Sequence, residues 1–285
     1  MSTSTRPARF EGQVAMVTGA ARGQGRSHAV RFAAEGADVI LCDLPGTDLP
    51  SVPYPMGTSD ELAETARLVE AQGRRAITCD VDVRETAQVD AAVAAGLDAF
   101  GRIDVLAANA GIGSISTIAE MSDDMWDTMI AINLSGVFRS LRAVVPHMVE
   151  RGSGRIVATS SIVGRQGSPN IGHYVAAKWG VIGLVKSLAL EVADRGITVN
   201  AVCPTSVDTA MIQNEAFYRI FLPGQDTFDM EDVKRAYTAQ NPIPIPWVEP
   251  NDVSDAVLFL ASDEAKYVTG EALPVALGWN ARNAS

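Results

Sequence analysis

Tyr174 and Lys178 stand four residues apart in a segment of helical period, so one helix face presents a phenol and an ammonium together. A free phenol ionises near pH ~10, and a neighbouring cation favours the phenolate, which moves the group toward useful acid–base strength. Ser161 precedes Tyr174 by thirteen residues, just past an apolar run, and Asn133 sits within the long helical segment before it. Taken singly, a Tyr/Lys pair is ordinarily a helix-surface pair. In combination these four residues are candidates for proton transfer at an oxygen.

A second constellation suits phosphate and ribose. Thr18-Gly19-Ala20-Ala21-Arg22-Gly23-Gln24-Gly25 follows the apolar run 14–17 and opens a helical segment. Glycines at 19, 23 and 25 let the backbone turn tightly and approach a pyrophosphate, whose charge meets free N–H groups at the helix N-terminus; Arg22 and Gln24 share that cradle. Asp43 closes the second strand, 18 residues beyond Gly25, where a carboxylate accepts hydrogen bonds from ribose hydroxyls and repels a 2′-phosphate. Arg22 argues the other way, toward that phosphate. The acidic residue at the strand end favours NAD over NADP, although Asp43 also reads as a turn cap. Asp82 and Val83 follow the third strand and Asn109, Ala110 and Gly111 the fourth, at carboxyl strand ends where open α/β sheets bind ligands. Asp82 and Asn109 each read alone as a cap or turn residue; together the strand ends outline a cofactor cleft.

These residues need a scaffold that gathers strand ends. Apolar runs at 13–18, 38–43, 75–79, 103–107, 155–159, 197–203 and 272–277 alternate with helical segments at 25–35, 60–72, 85–100, 124–150, 173–194 and 251–262. The alternation predicts the α/β class, a doubly wound parallel sheet of about seven strands in a single domain over residues 1–285. Two stretches break the rhythm. Residues 44–58 carry Pro45, Pro50, Pro53 and Pro55, which exclude a regular helix or central strand and predict a long loop. Residues 208–250 carry Phe217, Tyr218, Phe221 and Trp247 among prolines and predict a partly helical lid.

Composition sets bounds. The chain has 285 residues, 47% of them hydrophobic, and a net charge of −11 that disfavours duplex nucleic acid or an anionic membrane surface as partner. Cys42, Cys79 and Cys203 form no CxxC pair, and His28, His147 and His173 give no ligand spacing, so no metal site is expected. His173, next to Tyr174, reads equally as pocket lining or as structure. Residues 1–10 hold no apolar run of signal length, no stretch of 18 uninterrupted apolar residues occurs, and a cytoplasmic protein is expected. Apolar residues from Val175 and Trp179 to Leu190 and Val192 surround most of helix 173–194, which predicts cover on more than one side.

With these motifs in order, the whole chain resembles the short-chain dehydrogenase/reductase family through TGAARGQG, Asp43, NAG, Asn133, Ser161 and the run Tyr174 to Lys178. The resemblance implies that Tyr174 is the general acid/base, Lys178 lowers its pKa and binds the nicotinamide ribose, Ser161 holds the substrate oxygen, and Asn133 supports a water-mediated proton relay. It places Pro204, Val207 and Thr209 in the segment that contacts the nicotinamide amide, with Thr205 where the family usually has glycine. The implied reaction is NAD-dependent interconversion of a secondary alcohol and a ketone in a homotetramer built on helix 173–194 and the helix before it. SVPYP at 51–55, the run 60–75 and the run 244–270 resemble more narrowly the mycofactocin-coupled carveol dehydrogenase-like subgroup. That likeness implies an apolar or terpenoid-like alcohol, a cover over tightly held NAD at residues 44–58, and mycofactocin as external electron acceptor. The fold alone also permits a catalytically silent NAD-binding sensor or scaffold; the intact Ser161, Tyr174 and Lys178 set argues against it.

Overall fold

A strand buried on both faces reads as a continuous apolar run, and the central strands of this chain do so. Val14–Thr18 (β1), Asp38–Asp43 (β2), Ala76–Asp80 (β3), Val105–Ala108 (β4), Gly154–Thr159 (β5), Ile197–Pro204 (β6) and Ala272–Val275 (β7) form one parallel sheet in the order β3-β2-β1-β4-β5-β6-β7. This is a computed structural model, and it describes residues 8–282. The reading of the N-terminal segment therefore falls largely outside the described residues. The strand order reverses direction between β1 and β4, which opens a crevice at their carboxyl ends.

Alternate residues of each strand supply two cores. Val14 and Met16 join Ile40 and Leu106 on one face, under Thr86–Phe100 (α3), Asp123–Ile130 (α4), Val137–Arg151 (α5) and Gly172–Glu191 (α6). Ala15 and Val17 join Val39 and Val105 on the other, under Gly23–Ala34 (α1), Ser59–Glu70 (α2) and Pro250–Ala261 (α9). Glu215–Phe221 (α7) and Met230–Gln240 (α8) stand apart on a small core of their own. A Thr58/Glu61 capping box starts α2, and Pro250 occupies the first turn of α9, where its missing N–H costs nothing.

The seven strands and six helical segments expected from the sequence are present, with three local differences. The helix expected over 124–150 is broken by a π-helical turn, Ala131–Gly136, between α4 and α5. The last strand ends at Val275, and Leu277 takes a positive φ of 49° as the chain turns away. The 208–250 stretch contains two helices, each capped by a side chain, Asn214 and Asp229. Cys42 and Cys79, distant in sequence, lie opposite one another across β2 and β3. The combined helix Asp123–Arg151 is long and apolar enough to cross a membrane by length and composition; here it lies against the sheet, with Met129, Val137, Val144 and Met148 in the core.

Candidate active site

Tyr174 lies in the first turn of α6, and Ser161 leaves β5 beside it. The tyrosine is half-buried on the cavity wall, and desolvation pushes its phenol up to about 12, opposed by a hydrogen bond with Ser161. Lys178, one turn later, is also buried; its Nζ donates to the Thr159 carbonyl at 2.7 Å and lies 5.4 Å from the centre of the Tyr174 ring. Desolvation brings this ammonium down to about 8. The spacing suggested a Tyr174 pKa lowered by Lys178; in the structure it is raised, with burial as the largest cause. The ammonium faces the ring and the β5 carbonyl. Ser160 fixes the geometry from below, its Oγ donating to the Lys178 carbonyl at 2.9 Å.

Asn133 sits in the π-helical turn and is wholly buried. Its Oδ1 accepts from Ile112 N and its Nδ2 donates to Ile112 O, both at 2.8 Å, so the amide holds the segment leaving β4. Such widened turns recur at functional sites. His173 is buried, with Nε2 2.7 Å from Ser114 Oγ, and stands behind the pocket wall; Ser114 is the member of the pair that lines the cavity.

The cofactor cleft runs along the ends of β1 to β4. Gly19 and Gly23 have φ of +70° and +55°, and a Cβ at Gly25 would fall 1.9 Å from the Gly19 carbonyl oxygen, so only glycine permits this approach of loop to helix. Asn109 ties three strand ends together: its Nδ2 donates to Thr18 O at 3.1 Å and its Oδ1 accepts from Thr159 Oγ1 at 3.2 Å. Thr18 Oγ1 accepts from both Asn109 N and Ala110 N. Asp43 lies at the tip of β2; burial raises its pKa, opposed by hydrogen bonds from Ala21 N and Leu44 N. It thus caps a turn and faces the cleft at once. At Asp82 burial works against ionisation, and the Arg84 guanidinium and N–H more than offset it, leaving the carboxyl below its usual range. Val83, Gly111 and Ile132 complete this wall.

Arg22 donates to the Pro55 carbonyl and so ties the proline-rich loop across the cleft. One of its five donors is therefore taken up by the loop, and Asp43 at the β2 tip remains the residue that disfavours a 2′-phosphate. Leu49, Tyr54 and Met56 from that loop line the same cavity, about 150 Å³, as Asp43 and Asp82. A second cavity of about 520 Å³ is lined by Ser161, Tyr174, Lys178, Pro204, Thr205, Val207 and Thr209, with Phe217, Phe221 and Tyr237 from the 208–250 segment. Gln24, Asn109, Gly111 and Thr209 border both cavities. Gln24 Oε1 is buried there without a protein hydrogen-bond partner. A glycine cradle at a helix N-terminus, a carboxylate at the β2 tip and an unpartnered amide oxygen at the junction fit a dinucleotide with free ribose hydroxyls.

Sequence reasoning missed Ser114, Thr159 and Tyr237, and read Thr18 only as the opening of the glycine motif. Polar residues at the carboxyl ends of β1 and β5 were the available signal for the two threonines. Tyr54 accepting from Gly113 N at 2.8 Å had none, because it joins segments 59 residues apart.

The fold and site define a dinucleotide-dependent oxidoreductase of the α/β class. Residues 13–217 match the model of the short chain dehydrogenases. The chain is 52% identical over 274 residues to (−)-trans-carveol dehydrogenase of Rhodococcus erythropolis, covering 95% of this chain and 98% of that one. It superposes on a carveol dehydrogenase from Mycobacterium avium in complex with NAD with a TM-score of 0.94 at 46% identity, over 96% and 100% of the two chains. A short chain dehydrogenase from Mycobacterium paratuberculosis bound to NAD gives 0.88 at 36%, over 96% and 99%. The chain belongs to the short-chain dehydrogenase/reductase family.

Proposed function

We propose that this enzyme interconverts an apolar, terpenoid-like secondary alcohol and its ketone with NAD. The observation that carries this reading is the 520 Å³ cavity that places Ser161 and Tyr174 beside the Gln24, Asn109 and Thr209 border of the cofactor cleft. The names of the carveol dehydrogenases at 52% and 46% identity support the substrate class. Gly19, Arg22, Gly23, Gln24, Gly25, Asp43, Asp82, Val83, Asn109, Ala110, Gly111, Pro204, Val207 and Thr209 would hold the cofactor, with Tyr174 and Lys178. When bound, NAD supplies the hydride acceptor for oxidation and NADH the donor for reduction.

The chain's own residues handle the oxygen and its proton. Ser161 Oγ orients the substrate oxygen, and Tyr174 Oη exchanges the proton with it. With its pKa pushed up to about 12, Tyr174 is a phenol at neutral pH and is poised to protonate the oxygen formed from a ketone. In the oxidation direction the same oxygen gives its proton to the phenolate form. Lys178 carries its charge below about pH 8, buried one turn from the phenol, where low dielectric strengthens its effect on the developing charge.

We further infer that residues 44–58 cover bound NAD and slow its exchange, the retained cofactor then being reoxidised by mycofactocin as external electron acceptor. Support comes from the Arg22 and Tyr54 ties and from Leu49 lying in the main core. A homotetramer is supported by Phe138, Trp179 and Leu190, 43%, 52% and 84% exposed on α5 and α6. Three free thiols, two of them buried, suit the reducing cytoplasm. Mass spectrometry of small molecules released from the denatured purified protein, followed by an alcohol panel with an artificial electron acceptor, tests cofactor and substrate together. Release of NAD with turnover of no alcohol in the panel would favour the silent NAD-binding protein.

A further inference from the structure

Buried hydroxyl groups are hydrogen-bonded in nearly all proteins, and one left without a partner calls for a cause. Among the described tyrosines, Tyr54 accepts from Gly113 N, Tyr174 bonds with Ser161, Tyr218 donates to Gln213 Oε1 at 2.7 Å, and Tyr267 is 90% exposed to water. Tyr237 differs from all four. It is 2% exposed, its hydroxyl is buried with no protein partner, and it lines the substrate cavity.

The position of this phenol is enforced. Tyr237 projects from α8, its ring 4.3 Å from the Phe221 ring and 5.7 Å from the Trp247 ring, so it belongs to the small core that holds the lid together. Burial pushes its pKa up, and it stays a neutral donor at every physiological pH. The cavity wall holds Ile112, Ile220 and Pro223, which suit a hydrocarbon body. Ser161 and Tyr174 come from the sheet end and α6, a different part of the wall from α8. A substrate held by both sets meets hydrogen-bonding groups from two separate elements.

We propose that the Tyr237 hydroxyl is a specificity-determining donor to a second oxygen of the substrate, one remote from the reacting carbon. The preferred substrates are then apolar secondary alcohols or ketones that also carry an ether, hydroxyl or carbonyl oxygen. This rests on the oxidoreductase reading above and narrows it. A site built around a hydrogen bond discriminates against the analogue that lacks the partner atom, because the buried group is left unpaired.

The test uses the purified holoenzyme with an artificial acceptor and two near-isosteric alcohols, 4-methoxycyclohexanol and 4-ethylcyclohexanol, with their 3-substituted counterparts. The wild-type enzyme is expected to prefer the methoxy member of at least one pair by about tenfold in kcat/KM. Tyr237→Phe keeps the ring between Phe221 and Trp247, and the ratio is expected to fall to about one with the melting temperature unchanged. Tyr237→Leu removes the hydroxyl and the ring together, so it should lose the methoxy preference as Tyr237→Phe does and, through the lost packing, depress both members further. Turnover by the wild type without a preference, or an equal preference in Tyr237→Phe, overturns the proposal and leaves the oxidoreductase reading standing. No turnover of any member by the wild type overturns that reading and this proposal with it. Should Tyr237→Phe fail to fold, Tyr237→Leu decides in its place: a preference kept at the wild-type ratio overturns the proposal, and its loss supports it.

Discussion

Two segments interrupt the βα rhythm, one after β2 and one after β6, and they are built on opposite plans. Residues 44–58 form no helix and no core of their own; the segment is pinned to the body by Arg22 on the Pro55 carbonyl, by Gly113 N on Tyr54 and by Leu49 in the main core. A backbone bond from Gly46 N to Gly57 O, 3.0 Å, closes its base. Residues 208–250 carry α7 and α8, capped by Asn214 and Asp229, around Ile212, Leu222, Val233 and Tyr237. A strap tied at many points opens only by breaking its ties, whereas a self-packed unit can shift as a body. The first plan suits a group that stays and the second a molecule that comes and goes.

The largest expected effect tests whether the chemistry is separable from both segments. Tyr174→Phe should lower turnover by about 10³-fold, within the range typical of lost acid–base catalysis. NAD retention after desalting should stay nearly intact, since only the Tyr174 hydroxyl is lost among the groups assigned to the cofactor and the ties of residues 44–58 remain. Wild-type turnover in this variant would remove Tyr174 from the reaction.

Cutting the strap comes next. Deleting residues 49–56 removes the Tyr54 and Arg22 ties together, and release of labelled NAD should accelerate by about 100-fold, as expected for two lost hydrogen bonds. Exchange as slow as in the intact chain would mean that residues 44–58 do not hold the cofactor.

Lys178 reports how dry the enclosed centre is. Its folded pKa, about 8, lies below the ordinary 10.5, so between these values the unfolded chain binds more protons and stability rises with pH. Relative to Lys178→Met, the cofactor-free wild type should gain about 1.6 kcal/mol from pH 8 to 9.5, read from urea midpoints. A flat difference would place water beside the ammonium.

The contrast between the segments also explains what could be read without coordinates. Strands such as β1 and β6 are unbroken apolar runs, and TGAARGQG, Tyr174 and Lys178 are local patterns whose spacing fixes their geometry. The four prolines of 44–58 announced a loop on the same local terms. What stayed hidden joins distant segments or depends on burial. The π-helical turn carries Asn133, whose bonds reach Ile112, 21 residues away, and no residue type marks it. Tyr174 shows the same limit: the spacing to Lys178 suggested a lowered pKa, and enclosure by the folded chain raises it.

The smallest effect concerns the seam between the two covers. Tyr54 and Phe217 approach to 6.5 Å between ring centres, and a Cβ on Gly113 would meet Phe217 Cζ at 2.8 Å, so strap, lid and the β4 exit converge there. A lid held closed by a bound ketone keeps Phe217 against Tyr54 and adds resistance to opening the strap. A saturating, unreactive substrate analogue should therefore slow NAD exchange by about threefold, the scale of one aromatic contact. Phe217→Ala should abolish that slowing without matching the acceleration caused by deleting residues 49–56. Exchange that ignores the analogue in the wild type would make the two covers independent. An analogue effect that persists in Phe217→Ala would route the coupling through the Gly113 segment, leaving the Tyr54 hydrogen bond as its carrier.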